Sequence, residues 1–303
     1  MDIPLLHARE SDTHKGDYGR VFVLAGSAGM VGAACLVSRA AYRAGAGYVC
    51  LGLPWRLTFV VASNSEMECV LTAALPETDE GTLGLMAKGK IIAAAKGYDV
   101  FAAGPGLSRN PQTQEMLSNT VTELEHALVF DADMLNMIAK HPDVIPDLCR
   151  SKGLPIFTPH AMEFARLLGR DKPSTEPQLR EQECRDYAKE HNVVCVLKGH
   201  RTVISDGTRI HINTTGNPGM ATAGTGDVLT GVIAALRGQG YDSFEAAVLG
   251  VYLHGIAGDI AKENRGEWGM NARDVLNAVP DAFMRHFNSP PAPKGVTTKI
   301  PKK

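Results

Sequence analysis

Short apolar runs alternate with longer, helically spaced stretches along most of the chain. Arg20–Ala25, Gly47–Leu53, Tyr98–Ala103, Ala127–Asp131, Pro155–Thr158 and Val193–Lys198 read as strands, each bounded by turn-forming residues. Ala33–Ala44 fits a helix built from small residues, and a helix running through Lys140 follows Asp131. Helical spacing returns at 226–237, 244–264 and 271–287. Strand–turn–helix repetition of this kind predicts an α/β fold: a mostly parallel central sheet with helices on both faces. Thr202–Ser205 and Arg209–Asn213, joined at Asp206-Gly207-Thr208, read as a hairpin, which adds an antiparallel edge. No internal repeat or compositional break marks a second domain, so residues 1–288 are expected to form one. Pro and Lys dominate from Pro290, and 289–303 is expected to be a disordered tail.

Composition narrows the partners. The 303 residues are 44% hydrophobic and 21% charged, ordinary globular material with a formal charge of −2. Nothing global therefore favours nucleic acid or an anionic membrane, and a polyanionic ligand must be held by local amides and a few cations. The six cysteines form no C-x-x-C pair and fall mostly in apolar stretches, which predicts buried free thiols in a reducing compartment. Met1–Glu10 has no long apolar run. Ala246–Ala261 is broken by His254, Gly255, Gly258 and Asp259 and is short for a membrane span. A cytoplasmic location is expected.

The densest chemical signal is Asn217–Asp227 (NPGMATAGTGD), where glycines crowd the backbone just before an apolar helix. Small residues let amides approach a ligand, and a helix N-terminus offers unpaired N–H groups to an anion. Asp227 has two readings: a cap for that helix, or a general base beside a phosphate-binding anion hole. Other loops at strand ends gather with it. Gly26–Ala34 is neither a P-loop nor a G-x-G-x-x-G fingerprint, so a tight turn explains it as well as a ligand does. Gly104-Pro105-Gly106 is open in the same way. Asp131 and Asp133 suit helix capping, or a nearby magnesium-bound water or phosphate. His160, after Thr158-Pro159, is structural or meets substrate. Lys198-Gly199-His200-Arg201-Thr202 is a solvated turn or a phosphate clamp. His254, amid apolar residues, reads as a satisfied core histidine. All but His254 follow a strand, where open α/β sheets bind their ligands.

Together, His14–Gly19 (HKGDYG), Gly26–Ala34, Gly104–Leu107, Asp131–Asp133, Thr158–His160, Lys198-Gly199 and Gly216–Asp227 resemble the ADP-dependent NAD(P)H-hydrate dehydratase family. The motifs run in family order from about His14 to about residue 287. The resemblance implies a ribokinase-like fold and a repair reaction. In that reaction the S-epimer of NADH or NADPH hydrated at C6 (NADHX, NADPHX) loses water. ADP drives it in bacterial members and ATP in eukaryotic ones. The Ala223–Asp227 form resembles the bacterial type, so ADP is expected here. By resemblance, Ala33, Gly106, His160 and Asp227 meet the hydrate, with Asp227 as general base. Lys198, Gly199, His200, Arg201, Thr202 and Gly226 hold the nucleotide, and Gly224, Thr225 and Gly226 form the anion hole. Mg2+ is expected on the phosphates, with no ligand set assigned. A homo-oligomer, a tetramer in the family, is also implied.

Two departures stand out. Many members continue Thr-Pro-His with Pro-Gly-Glu, whereas Ala161-Met162-Glu163 follows here and predicts a bulkier rim. Many bacterial members also carry an N-terminal epimerase domain. This sequence opens at the dehydratase region, so a separate epimerase is expected to supply the S-epimer. The nearest other reading is an ATP-dependent kinase of the same fold acting on a vitamin-precursor alcohol, with the same anion hole and the same Asp227. A nucleotide-binding module without turnover is a third. The Thr-Pro-His and Lys-Gly-His-Arg-Thr segments favour the dehydratase.

Overall fold

Val21 and Val23 pack to one side of a central sheet and Phe22 and Leu24 to the other, and all four are buried. Both faces of the sheet are covered, which is why its strands read as continuous apolar runs rather than alternating ones. The computed structural model describes residues 3–288, and the tail expected at 289–303 lies outside them.

Nine strands form one sheet: β1 (Arg20–Leu24), β2 (Tyr48–Pro54), β3 (Leu71–Leu75), β4 (Val100–Ala103), β5 (Ala127–Phe130), β6 (Ile156–Phe157), β7 (Val194–Leu197), β8 (Val203–Ser205) and β9 (Ile210–Ile212). Their order is β3-β2-β1-β4-β5-β6-β7-β8-β9. Every pair through β7 is parallel, while β7–β8 and β8–β9 are antiparallel. The expected strands all form, as does the hairpin at the edge. β3 was not singled out by the sequence pattern: it is an edge strand whose residues (LTAAL) are mostly exposed, so no apolar run announces it.

One helical layer holds α1 (Val31–Arg43), α8 (Thr225–Gly238), α9 (Ser243–Gly269, broken at Gly266) and α10 (Ala272–Phe287). The short α2 (Trp55–Ala62) flanks it through buried Val61. The opposite layer holds α3 (Ala87–Ala95), α4 (Pro111–Val121), α5 (Ala132–Lys140), α6 (Ala161–Leu167) and α7 (Pro177–His191). The small residues of α1 let α8 approach closely: a Cβ on Gly231 would lie 2.2 Å from the Val37 carbonyl oxygen. This contact carries Leu36 of α1 to the start of α8. By length and composition α9 could cross a membrane, but 72% of its qualifying stretch is buried within the protein. It serves as a core helix.

Five described cysteines are free, and here one expectation fails. Cys50, Cys184 and Cys195 are buried and Cys35 is half-buried, but Cys69 is exposed, in the turn before edge strand β3.

Candidate functional site

The carboxyl ends of β1, β4, β5, β6 and β7 and the start of α8 converge on one cluster. Gly104 follows β4 at φ 134°, and a Cβ there would lie 1.7 Å from the Asp131 carbonyl oxygen. Only glycine lets the β4 and β5 ends come this close. Two residues on, a Cβ on Gly106 would lie 3.3 Å from that of Ala33, so the hydrate-contacting pair implied by resemblance is adjacent. Ser27 Oγ donates to the Gly106 carbonyl at 2.8 Å and the Gly26 amide to the Pro105 carbonyl at 2.9 Å, locking the two glycine-rich loops together.

Asp131 does not cap α5 with its side chain. Its carboxylate, 2% exposed, accepts from Lys198 Nζ at 2.6 Å through Oδ1 and from Thr230 Oγ1 at 2.8 Å through Oδ2. Lys198 thus reaches across from the end of β7. Its Nζ lies 3.3 Å from where a Cβ on Gly226 would sit, directly beside the glycine-rich loop. Burial opposes the Lys198 charge, yet Asp131, Glu163 and Asp227 outweigh it and hold the ammonium above the usual lysine range. Asp133 instead accepts from the Ser108 amide at 2.8 Å and plays a local role.

The loop before α8 is built to present amides. Gly224 occupies the N-cap position at φ 93°, and no side chain caps the helix. The amides of Thr225, Gly226 and Asp227 donate to no acceptor among the described residues. Asp227 therefore does not take the capping role open to it in the sequence. Burial first, then the nearby Asp131 and Glu163 charges, push its carboxyl up to about 7, with Lys198 pulling the other way. A carboxylate that exchanges its proton near neutrality, beside free amides, can both accept a proton and sit next to a bound anion.

Thr225 Oγ1 donates to the Met220 and Thr222 carbonyls, each at 3.0 Å, closing the loop on itself. α9 anchors the rest. Asp259 accepts from the Gly216 amide and from Asn217 Nδ2, each at 3.0 Å, and Thr215 Oγ1 donates to the Tyr252 carbonyl at 3.0 Å. His254 is buried with Nε2 unpartnered, so only part of the expected satisfaction holds. Its ring faces the Thr225 backbone, and burial lowers it to about 4.

His160 caps α6. Its Nδ1 accepts from the Met162 and Glu163 amides at 3.1 and 3.2 Å, while Glu163 Oε2 accepts from the His160 amide at 2.8 Å. Burial and the neighbouring Lys198 lower the imidazole, leaving it neutral with an exposed ring edge. Met162 stands partly exposed on that rim, the bulkier side chain the sequence pattern foresees. Glu163 is buried, and that burial raises its carboxyl. Gly199, His200, Arg201 and Thr202 form a turn closed by Thr202 Oγ1 donating to the Gly199 carbonyl at 3.0 Å. Of this segment, Lys198 alone enters the cluster through its side chain; His200 and Arg201 are exposed.

Thr230 and Asp259 escape sequence reasoning. Asp259 had one available signal, a carboxylate inside an otherwise apolar helix, which needs a partner when half-buried. His14–Gly19 lies elsewhere, at the amino end of β1, where a Cβ on Gly47 would collide with the Lys15 carbonyl. That motif shapes the fold and stays outside the cluster. A cavity of about 420 Å³ along β9, lined by Ile3, Ile210, Ile212 and Tyr252 among others, contains none of the cluster's residues.

The family model described as NAD(P)H-hydrate dehydratase matches residues 21–281, most of the chain. The chain belongs to the NAD(P)H-hydrate dehydratase family. It is 43% identical over 277 residues to the bifunctional NAD(P)H-hydrate repair enzyme Nnr of Moorella thermoacetica, covering 91% of this chain and 51% of that one. It is 36% identical over 261 residues to the ADP-dependent (S)-NAD(P)H-hydrate dehydratase of Neisseria meningitidis serogroup B, covering 86% and 82%. The chain thus spans about half the length of the bifunctional relatives it matches. Among solved structures, the ADP/ATP-dependent NAD(P)H-hydrate dehydratase of Bacillus subtilis, co-crystallised with ATP and Mg2+, superposes with a TM-score of 0.75 at 29% identity, covering 93% and 95%. The ribokinase-like architecture expected of the family is the one observed.

Proposed function

We propose that this protein dehydrates the S-epimer of hydrated NADH or NADPH at the expense of ADP, with Asp227 as general base. The observation that carries the reading is Asp227 itself, its carboxyl held up to about 7 beside amides at the start of α8 that no described residue accepts from. Family membership and the ADP-dependent Neisseria relative support the substrate and the nucleotide.

Hydroxide is a poor leaving group and phosphate a good one. Asp227 takes the proton from the C6 hydroxyl as that oxygen attacks the terminal phosphorus of ADP. The bond from that phosphorus to the bridging oxygen breaks, and AMP leaves with the electron pair. Amides of Thr225 and Gly226 and the Lys198 ammonium stabilise charge on the transferring group. The ring nitrogen then expels phosphate from C6, and loss of a proton from C5 restores the dihydropyridine. Ala33 and Gly106 leave room for the ring, and His160 offers it a neutral edge. Gly199–Thr202 would line the nucleotide side.

Mg2+ would enter as a companion of the nucleotide's phosphates. Among the described residues no group of three or more His, Cys, Asp or Glu could hold a metal ion, and the best-placed carboxylate, Asp131, is engaged by Lys198. The residues therefore do not fit a protein-only magnesium site. An epimerase acting on the R-hydrate would feed this site.

The test is recovery of reduced-nicotinamide absorbance when the protein meets S-NADHX, ADP and Mg2+. Asp227→Asn should lower kcat by about a hundredfold to ten-thousandfold while nucleotide binding persists. No recovery, together with stoichiometric phosphorylation of an added alcohol, would turn the reading to a kinase of the same fold.

A further inference from the structure

Asp131 is an odd residue to find beneath an anion-binding loop, since a buried carboxylate repels the phosphate the loop is built to attract. Its surroundings resolve the oddity. It closes β5, and its two oxygens are divided between Lys198 at the end of β7 and Thr230, 99 positions away on α8. Thr230 Oγ1 also reaches the Gly226 carbonyl at 3.1 Å, so the contact runs into the first turn of α8. Lys198, so held, lies against Gly226. The Asp131 and Lys198 charges act on Asp227 with opposite sign.

We propose that Asp131 is a positioning residue, which fixes the Lys198 ammonium at the foot of the anion loop and offsets that ammonium's charge as felt by Asp227. This rests on the reading of Asp227 as general base. Without Asp131, Lys198 would lose the hydrogen-bond partner that holds it beside Gly226, and among the neighbouring charges only the weaker Glu163 would oppose its effect on Asp227. The Asp227 carboxyl would then give up its proton at lower pH and make a weaker base.

The other groups facing this cluster leave the assignment to Asp131 intact. α6 contributes Glu163, His160 and Arg166, and α9 contributes His254. α1 and α10 present Leu36 and Ala272 to Gly224, neither of them titratable. Glu163 acts on Asp227 in the same direction as Asp131 but more weakly. It is also occupied in capping α6 with His160.

The experiment follows the Asp227 carboxyl directly, by carbon NMR of protein labelled at its aspartate carboxyls. The signal is assigned as the one lost in Asp227→Asn, and its titration is set beside the acid limb of kcat/KM. Asp131→Asn should move both to lower pH by about one unit or more. Lys198→Gln should move the carboxyl titration the opposite way. Thr230→Val, which removes a contact but no charge, should leave the midpoint in place. A structural role alone would lower the folded fraction in Asp131→Asn and leave the midpoint unmoved, and that outcome overturns the proposal. If Asp131→Asn does not fold, an unmoved midpoint in Lys198→Gln overturns it equally. The titration needs no turnover, so absence of dehydratase activity in the unmodified protein would defeat the functional reading and not this one.

Discussion

Lys198 Nζ lies 2.6 Å from Asp131 Oδ1, and the two side chains are 18% and 2% exposed. A pair this buried gains little over an apolar pair of the same shape, but breaking it strands a charge. Lys198→Met should therefore destabilise the protein by about 3–5 kcal/mol, read by denaturant unfolding. Replacing both members, Lys198→Met with Asp131→Leu, should recover much of that loss while abolishing activity. Stability of the double variant no better than that of Lys198→Met would mean the pair is not the origin of the loss.

If Asp227 is the general base proposed above, its carboxyl, held up to about 7, should set the pH dependence of turnover. Only the ionised form can accept the C6 hydroxyl proton. kcat/KM should therefore rise with pH through an acid limb near 7 and level off above it. The limb should be absent from the residual activity of Asp227→Asn. A limb near pH 4, typical of an unperturbed aspartate, would show that the carboxyl is more solvated during turnover than its position here indicates.

Gly104 carries the β4–β5 junction on which Asp131 stands. With φ at 134° and a Cβ destined to lie 1.7 Å from the Asp131 carbonyl oxygen, Gly104→Ala meets backbone and not a yielding side chain. It should cost about 4 kcal/mol or more, and any folded fraction should turn over poorly because Asp131 is displaced. Gly29, by contrast, has open space around its Cβ position despite φ 83°. Gly29→Ala should cost only the strain of that backbone conformation, about 1–2 kcal/mol. Equal melting temperatures for the two variants would contradict the close approach at Gly104.

Much of this architecture is legible in the sequence because its signals are local. The strands from Arg20 to Leu24 and from Val194 to Leu197 are apolar runs bounded by turns, and the β8–β9 hairpin is marked by Asp206-Gly207. Leu71–Leu75 is not legible, since an exposed edge strand needs no apolar pattern. The site divides the same way. Gly224–Asp227 declares itself through composition and the helix that follows. The Lys198–Asp131 pair spans 67 positions, and nothing in either neighbourhood names the other. Asp227 read as a possible cap because spacing alone cannot tell a carboxylate bonded to its own helix from one held free of it. The elevated carboxyl depends on burial and on charges from three other elements, a tertiary property throughout.

Two titrations at this loop oppose one another, and single variants should expose each. Asp227 is raised from 3.8 to about 7 in the folded protein, so its protonated form favours folding. That contribution is complete below 3.8 and is lost as pH rises through 7. His254 is lowered from 6.5 to about 4, so its neutral form favours folding. That contribution is complete above 6.5 and is lost as pH falls through 4. Between pH 4 and 6.5 acidification therefore strengthens one side of the loop and weakens the other. Relative to the unmodified protein, Asp227→Asn should gain melting temperature above pH 7, and the gain should vanish toward pH 4. His254→Gln should behave in the reverse sense, its relative stability growing as pH drops below 6.5. Thermal melts of the three proteins across this range read both trends. Parallel curves for His254→Gln and the unmodified protein would mean that the ring contacting Thr225 is not held neutral by burial.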